Sequence, residues 1–299
     1  MDRGIRIAVE AAAEERGGVV SRRLLARLGV DRDAVAREIS GGRWASHGRH
    51  TVAIHRGPLP PAALRWRALW EVGHGVALLD GVSSLVLAGL EGFREPAIHV
   101  SVTRNSRCQP IAGVRIHRVR RLDGEQSGGG RVPRTTPEVA VVRAAGWAVS
   151  DRQAALVIAM SVQQRIVAPH SLLAAASTVR TRGRRPFIRR VARDVADGAQ
   201  SLGELDFAAL CRRYDLPAPD RQVVRRGPRG RIYLDVRWAR AALVVEIDGA
   251  GHRVGLAVTS DNLRQNAMAL EGERVLRIDL LGMRLHEAEF MRQVRRGLG

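Results

Sequence analysis

The sequence predicts a mixed α/β protein in three parts. An N-terminal winged helix-turn-helix (residues 1–57) leads into a mostly helical middle region (58–200), and a C-terminal α/β unit with a central mixed sheet (201–299) follows. Three observations carry this. The first part orders as helix, short helix, tight turn, helix and hairpin. The second is dominated by helical periodicity, and the third changes to one helix, three strands, a helix, a strand and a helix.

Composition bounds the function. At 299 residues and 45% hydrophobic content, the chain has enough apolar surface for more than one core. No run approaches the roughly 20 apolar residues of a membrane span, and the start "MDRGIRIAVEAAAEERGG" lacks the apolar segment of a secretory signal. A cytoplasmic location is expected, with no membrane partner. Cys108 and Cys211 stand far apart, without the paired spacing of a thiolate metal site. The formal charge of +19 favours a polyanion, and nucleic acid is the first such partner. All 49 basic residues are arginine, so no deprotonatable lysine amine exists for catalysis.

In the first part, Ser21 caps a short helix, "RRLLARL", and Asp31 caps the next, "AVAREI". Two β-prone stretches around the His47–Gly48 turn read as a wing. On this reading Arg32 and Arg37 face a DNA groove, and Arg43 and Arg49 lie near phosphates. The alternative is a small helical bundle with a hairpin that binds no nucleic acid.

In the middle, "AIHVSVTR" and "GVRIHRVR" alternate like strands and suggest a β-hairpin or a paired edge. Residues 121–131, "RLDGEQSGGGR", read as a mobile loop. Thr136, Pro137 and Glu138 form a compact helix start. The seven arginines of "VRTRGRRPFIRRVARD" suit either a solvated helical face or a surface that follows phosphates.

The third part carries the chemistry. In "LVVEIDG", Glu246 and Asp248 lie two apart in a strand and share a face. The preceding strand "RIYLDVRW" folds back through "WARAA", and one register sets Asp235 beside Glu246, with Cβ atoms about 5 Å apart. Carboxylates that close repel unless a cation sits between them, and Mg²⁺ (or Mn²⁺) suits two carboxylates plus waters and phosphate oxygens. Asp235, Glu246 and Asp248 are therefore candidate metal ligands and catalytic groups. A bland account also exists, because Asp-Gly is a routine turn signal. His252 either orients the attacking water or sits in a surface loop. Arg264 either holds a phosphate or pairs with the cluster. Glu204 belongs to an S-x-x-E capping box with Ser201, or reaches the metal.

These residues resemble a known family. Through "GELDFAALCRRYDLPAPDRQV", "YLDVRWARAALVVEIDGAGH" and "DNLRQNAMALEGERVLRIDL", the last third is similar to the Vsr-like (very-short-patch-repair endonuclease-like) family of unknown function, within the PD-(D/E)xK restriction-endonuclease-like superfamily. The resemblance implies a restriction-endonuclease-like fold. It also assigns places to Glu204, Asp235, Glu246, Asp248, His252, Asp261 and Arg264. The segment "VVSRRLLARLGVDRDAVAREISGGRWASHGRHTVAIHRG" is similar to the winged-helix domain of AbiEi-type antitoxins. Two departures stand out: Asp248 occupies the place of the superfamily's usual lysine, and "WARA" lacks the proline that relatives tend to have after the tryptophan.

The expected function is a DNA-binding protein whose metal-dependent endonuclease-like domain hydrolyses phosphodiester bonds. Cutting both strands would call for two sites, hence a homodimer. The rival is a transcriptional regulator or antitoxin-like protein whose nuclease fold is inactive, and a basic RNA-binding protein is a third reading.

Overall fold

The structure is a computed structural model. It describes residues 1–122, 127–128, 132–181, 183–196, 207–226, 232–248 and 275–299. The protein is mixed α/β, with three sheets among the described residues. Its chain divides into two compact units, residues 1–87 with 92–140 and residues 88–91 with 141–299.

The first unit begins with α1 (Arg3–Glu14), β1 (Val19–Ser21), α2 (Arg22–Arg27), α3 (Arg32–Ser40), β2 (Ala45–Ser46) and β3 (Thr51–Ala53). The caps are the expected ones: the Ser21 hydroxyl accepts from the Leu24 N–H at 3.1 Å, and Asp31 accepts from Ala34 N–H at 2.7 Å. The three strands form an antiparallel sheet in the order β1-β3-β2. Alternation in β1 turns Val20 toward a core with Val9, Leu25, Val35, Trp44 and Val52, and Val19 toward Ala53, Ala63 and Trp70. Ala63 and Trp70 belong to α4 (Pro61–Gly73), which explains why the unit does not end at residue 57.

A mixed sheet completes this unit. It comprises β4 (Leu78–Leu79), β5 (Ile98–Thr103), β6 (Val114–Val119), β7 (Ser127–Gly128) and β8 (Arg134–Thr135), in the order β6-β5-β4-β8-β7, with α5 (Gly81–Leu87) following β4. The expected hairpin is corrected here: β5 and β6 pair in parallel, Ile98 with Val114 through Thr103 with Val119. Alternation marks a strand and its faces but not its direction. The connector 104–113 crosses over with Cys108 and Ile111 packed against the Leu79, Val100 and Val102 core. Most of the expected loop 121–131 lies outside the described residues.

The boundary between units falls within α6 (Pro137–Trp147). The second unit continues with α7 (Asp151–Gln163), α8 (Pro169–Thr178) and α9 (Arg185–Ala196). Three of the seven clustered arginines serve this packing. Arg185 and Arg189 donate to the Ser177 carbonyl, Arg189 also to that of Ala176, and Arg184 reaches Asp151 and the Ala148 carbonyl. Guanidinium groups thus cap the C-terminal carbonyls of α8, where the helix dipole favours positive charge.

Next come α10 (Phe207–Arg213), β9 (Arg221–Arg226), β10 (Ile232–Trp238), β11 (Leu243–Asp248), β12 (Val275–Asp279), α11 (Leu280–Leu285) and α12 (Glu287–Leu298). The sheet order is β12-β11-β10-β9, antiparallel through β9, β10 and β11 and parallel between β11 and β12. The turn through "ARAA" closes with Ala242 at φ 48°, a left-handed residue between β10 and β11. One sheet face, with Leu234, Val236, Trp238, Val245, Ile247, Leu276 and Ile278, is buried against Phe207, Phe290, Met291 and Val294. The helix expected from about Asp261 lies outside the described residues, as do residues 201–206. Because α11 lies against α7 and α9, the preceding helices belong to the same unit as this sheet.

Candidate functional site

The strand register sets the candidate site. Asp235 on β10 pairs directly with Glu246 on β11, as alternation and the short turn imply. The same register puts Tyr233 across from Asp248 and Leu234 across from Ile247. Since Leu234, Val236, Val245 and Ile247 are buried, Asp235 and Glu246 occupy the opposite face, where both are half-buried. Two carboxylates side by side on a strand pair destabilise each other in the absence of a cation.

A cation is present on that face. Arg277 on β12 is the register partner of Glu246, and its Nε lies 3.4 Å from Glu246 Oε2. The Glu246 side chain is 37% exposed and that of Arg277 65%, so water and salt screen the pair. Nothing local in "RVLRIDL" distinguishes Arg277 from an ordinary solvent-facing strand residue. Its significance comes from pairing β12 with β11 in parallel, a long-range fact. Asp279, paired with Asp248, turns to another task and caps α11 by accepting from the Gly282 N–H at 2.6 Å.

The position of Asp248 follows from its strand, whereas its side chain is not among those described. Glu204, His252 and Arg264 lie outside the described residues, and so does Asp261. Among the described residues no group of three or more His, Cys, Asp or Glu stands ready for a metal. The two adjacent carboxylates are nevertheless hard oxygen donors, and Mg²⁺ ordinarily takes only one or two carboxylates and fills its shell with water and phosphate. The donor chemistry of Asp235 and Glu246 fits such an ion.

A second group of functional candidates lies on the first unit. Arg32 and Arg37 are exposed on α3, and neither makes a side-chain hydrogen bond or ion pair with the described residues. Arg43 differs, because it is hydrogen-bonded to Glu38 of α3. That bond, more than the burial opposing it, holds the Glu38 carboxyl below its ordinary range. Arg43 therefore ties the end of α3 to the segment entering β2. Arg49 is exposed in the β2–β3 turn.

That turn is fastened by a residue the sequence does not single out. Glu71 on α4 accepts the N–H of Arg49 at 2.8 Å, the N–H of His50 at 2.8 Å and the Thr51 hydroxyl at 2.7 Å. Arg67, one turn earlier, donates to the His47 carbonyl at 2.8 Å. Gly48 makes this possible: at φ 146°, a Cβ there would fall 2.4 Å from the Glu71 carboxyl carbon.

A third polar group is buried in the mixed sheet. Asp80 accepts from Gly81 N–H, the Thr135 hydroxyl and the Ser101 hydroxyl, and His99 meets His117 with ring nitrogens 3.0 Å apart. Burial pushes the His99 imidazole below its ordinary value, against the opposing pull of Glu95.

No protein-family model and no curated protein matches the chain. Among solved structures, the crystal structure of RV2827C protein from Mycobacterium tuberculosis is similar at 18% identity, over 66% of this chain and 77% of that one, with a TM-score of 0.41. Among the described residues, no helix is long and apolar enough to cross a membrane.

Proposed function

We propose that the chain binds duplex DNA through an N-terminal winged helix and hydrolyses its phosphodiester bonds at a restriction-endonuclease-like C-terminal domain. The observation that carries the catalytic half is the direct pairing of Asp235 with Glu246 on the sheet face opposite the buried core of Leu234, Val236, Val245 and Ile247. Asp235 and Glu246 would hold Mg²⁺ or Mn²⁺, with Asp248 as a further ligand. Such an ion supplies polarisation of the phosphodiester and a lowered pKa for the attacking water. Glu204 and His252 complete the proposed catalytic set, and Arg264 the phosphate contacts. The order α1, β1, α2, α3, β2, β3, with an antiparallel three-stranded sheet, supports the DNA-binding half. Arg32 and Arg37 would enter the groove, while Arg49 would meet phosphates from the wing.

The decisive assay incubates the purified chain with supercoiled plasmid and Mg²⁺ or Mn²⁺. Metal-dependent nicking that disappears in Asp235→Ala and Glu246→Gln supports the reading, and nicking that survives both overturns it.

One observation favours a second reading, in which the protein is a regulator or antitoxin-like DNA-binding protein and the nuclease fold only a scaffold. Glu246 already has a cationic neighbour in Arg277, and Asp248 stands where a lysine is usual. Calorimetry separates the two, because a scaffold binds DNA without any Mg²⁺ affinity that depends on Asp235.

A further inference from the structure

We infer that Arg277 is a cation of the proposed nuclease site that holds the scissile phosphate, beside the contact proposed for Arg264, in a chain without lysine. This rests on the nuclease reading above and deepens it. The chain's 49 basic residues include no lysine, so a permanent positive charge at the site has to come from arginine. Within the sheet, β12 delivers one to the right row: Arg277 is registered with Glu246, which is registered with Asp235. The three side chains form one cross-strand row, carboxylate, carboxylate, guanidinium, on the face opposite the apolar core. Neighbouring strands lie about 4.8 Å apart, so the row spans roughly 10 Å, a length on the scale of one phosphodiester group and an ion beside it.

Arg277 is well placed for a ligand. Its side chain is 65% exposed, and its contact with Glu246 at 3.4 Å is long for a hydrogen bond between charged groups. A phosphate offers a guanidinium a planar, bidentate partner. In the reaction, a water oxygen bonds to phosphorus and one ester P–O bond breaks. One water proton is released and the departing deoxyribose oxygen takes up a proton, giving a phosphomonoester and an alcohol. Negative charge builds on the non-bridging oxygens as the new bond forms. A guanidinium on the strand beside Glu246, and two strands from Asp235, stabilises that charge without joining the carboxylates as a metal ligand.

The role separates from metal binding by experiment. The full-length chain and its Arg277→Gln, Arg277→Lys and Asp235→Ala variants are compared by Mn²⁺ calorimetry and by single-turnover cleavage of supercoiled plasmid with Mn²⁺, with thermal melting as a check on folding. For Arg277→Gln the expected loss of cleavage rate is on the order of 10²-fold, with Mn²⁺ affinity kept or tightened, because a charge competing for Glu246 has gone. Arg277→Lys recovers part of the rate because it restores the charge. Arg277→Gln cleaving within threefold of the wild type overturns the inference, as does loss of Mn²⁺ affinity in both Arg277 variants. If the wild type neither cleaves nor binds Mn²⁺ through Asp235, the nuclease reading fails and takes this role with it. If the wild type does both and Arg277→Gln is indifferent, only the role of Arg277 fails.

Discussion

The Glu71 carboxylate receives the buried Thr51 hydroxyl at 2.7 Å, and with it the backbone N–H groups of Arg49 and His50. One side chain on α4 thus fixes the turn between β2 and β3. Truncation in Glu71→Ala strands three donors, Thr51 among them with no exposure to water. The expected cost is about 1–3 kcal/mol, read as a lower melting temperature. Duplex affinity should fall as well, because the Arg49 turn loses its set shape. Glu71→Gln keeps one acceptor oxygen and should fall between the two.

Arg32 and Arg37 should behave as pure binding residues. Exposed on α3 and making no ion pair with the described residues, each can be changed to Ala at a stability cost within about 0.5 kcal/mol. The slope of log affinity for duplex DNA against log salt should flatten by roughly one for each phosphate that is no longer neutralised. Arg43→Ala should differ by destabilising the fold, since Arg43 is bonded to the nearly buried Glu38. An unchanged salt slope in the Arg32 and Arg37 variants would remove them from the interface.

The carboxylate pair should show the mark of a functional site. Asp235 and Glu246 are register partners across the β10–β11 ladder, so Asp235→Asn removes one of two neighbouring negative charges. Folding stability is expected to stay within about 1 kcal/mol of the wild type, whereas Mn²⁺ affinity drops on the order of 10-fold or more. Calorimetry and thermal melting on the same samples check both halves.

Acid should weaken the first unit through His99. Burial lowers the pKa of its imidazole, with Arg115 adding to the effect, while Glu95 and Asp80 oppose it, and His117 stacks on the ring. A folded-state pKa below the unfolded value of about 6.5 means that the folded chain binds fewer protons there. Its contribution is complete above about pH 6.5 and is lost as pH falls below it. His47 and His74 are shifted the same way, each chiefly by burial, and add to the trend. Melting temperature should drop between about pH 7.5 and 5.5, and the drop should be smaller in His99→Gln.

The sequence by itself determined the features that depend on near neighbours. Ser21 and Asp31 were readable as caps because a capping oxygen reaches a backbone N–H only three residues on. The pairing of Asp235 with Glu246 was readable because a two-residue period assigns faces and a short turn at "ARAA" leaves few registers. Tertiary structure decided whatever joins distant segments. The direction of β6 against β5 depended on where the connector with Cys108 and Ile111 packs. Three arginines of a cluster that suited either a solvated helical face or a phosphate-following surface are bonded to α8 and its neighbours, as any helix end nearby can bind them. Glu71 reached the turn at Arg49 from α4, and Arg277 reached Glu246 from a strand some thirty residues downstream. Charged side chains carry no periodic signature of their partners. Where a charge ends up is set by the packing of the apolar residues beside it, and only the folded chain specifies that packing.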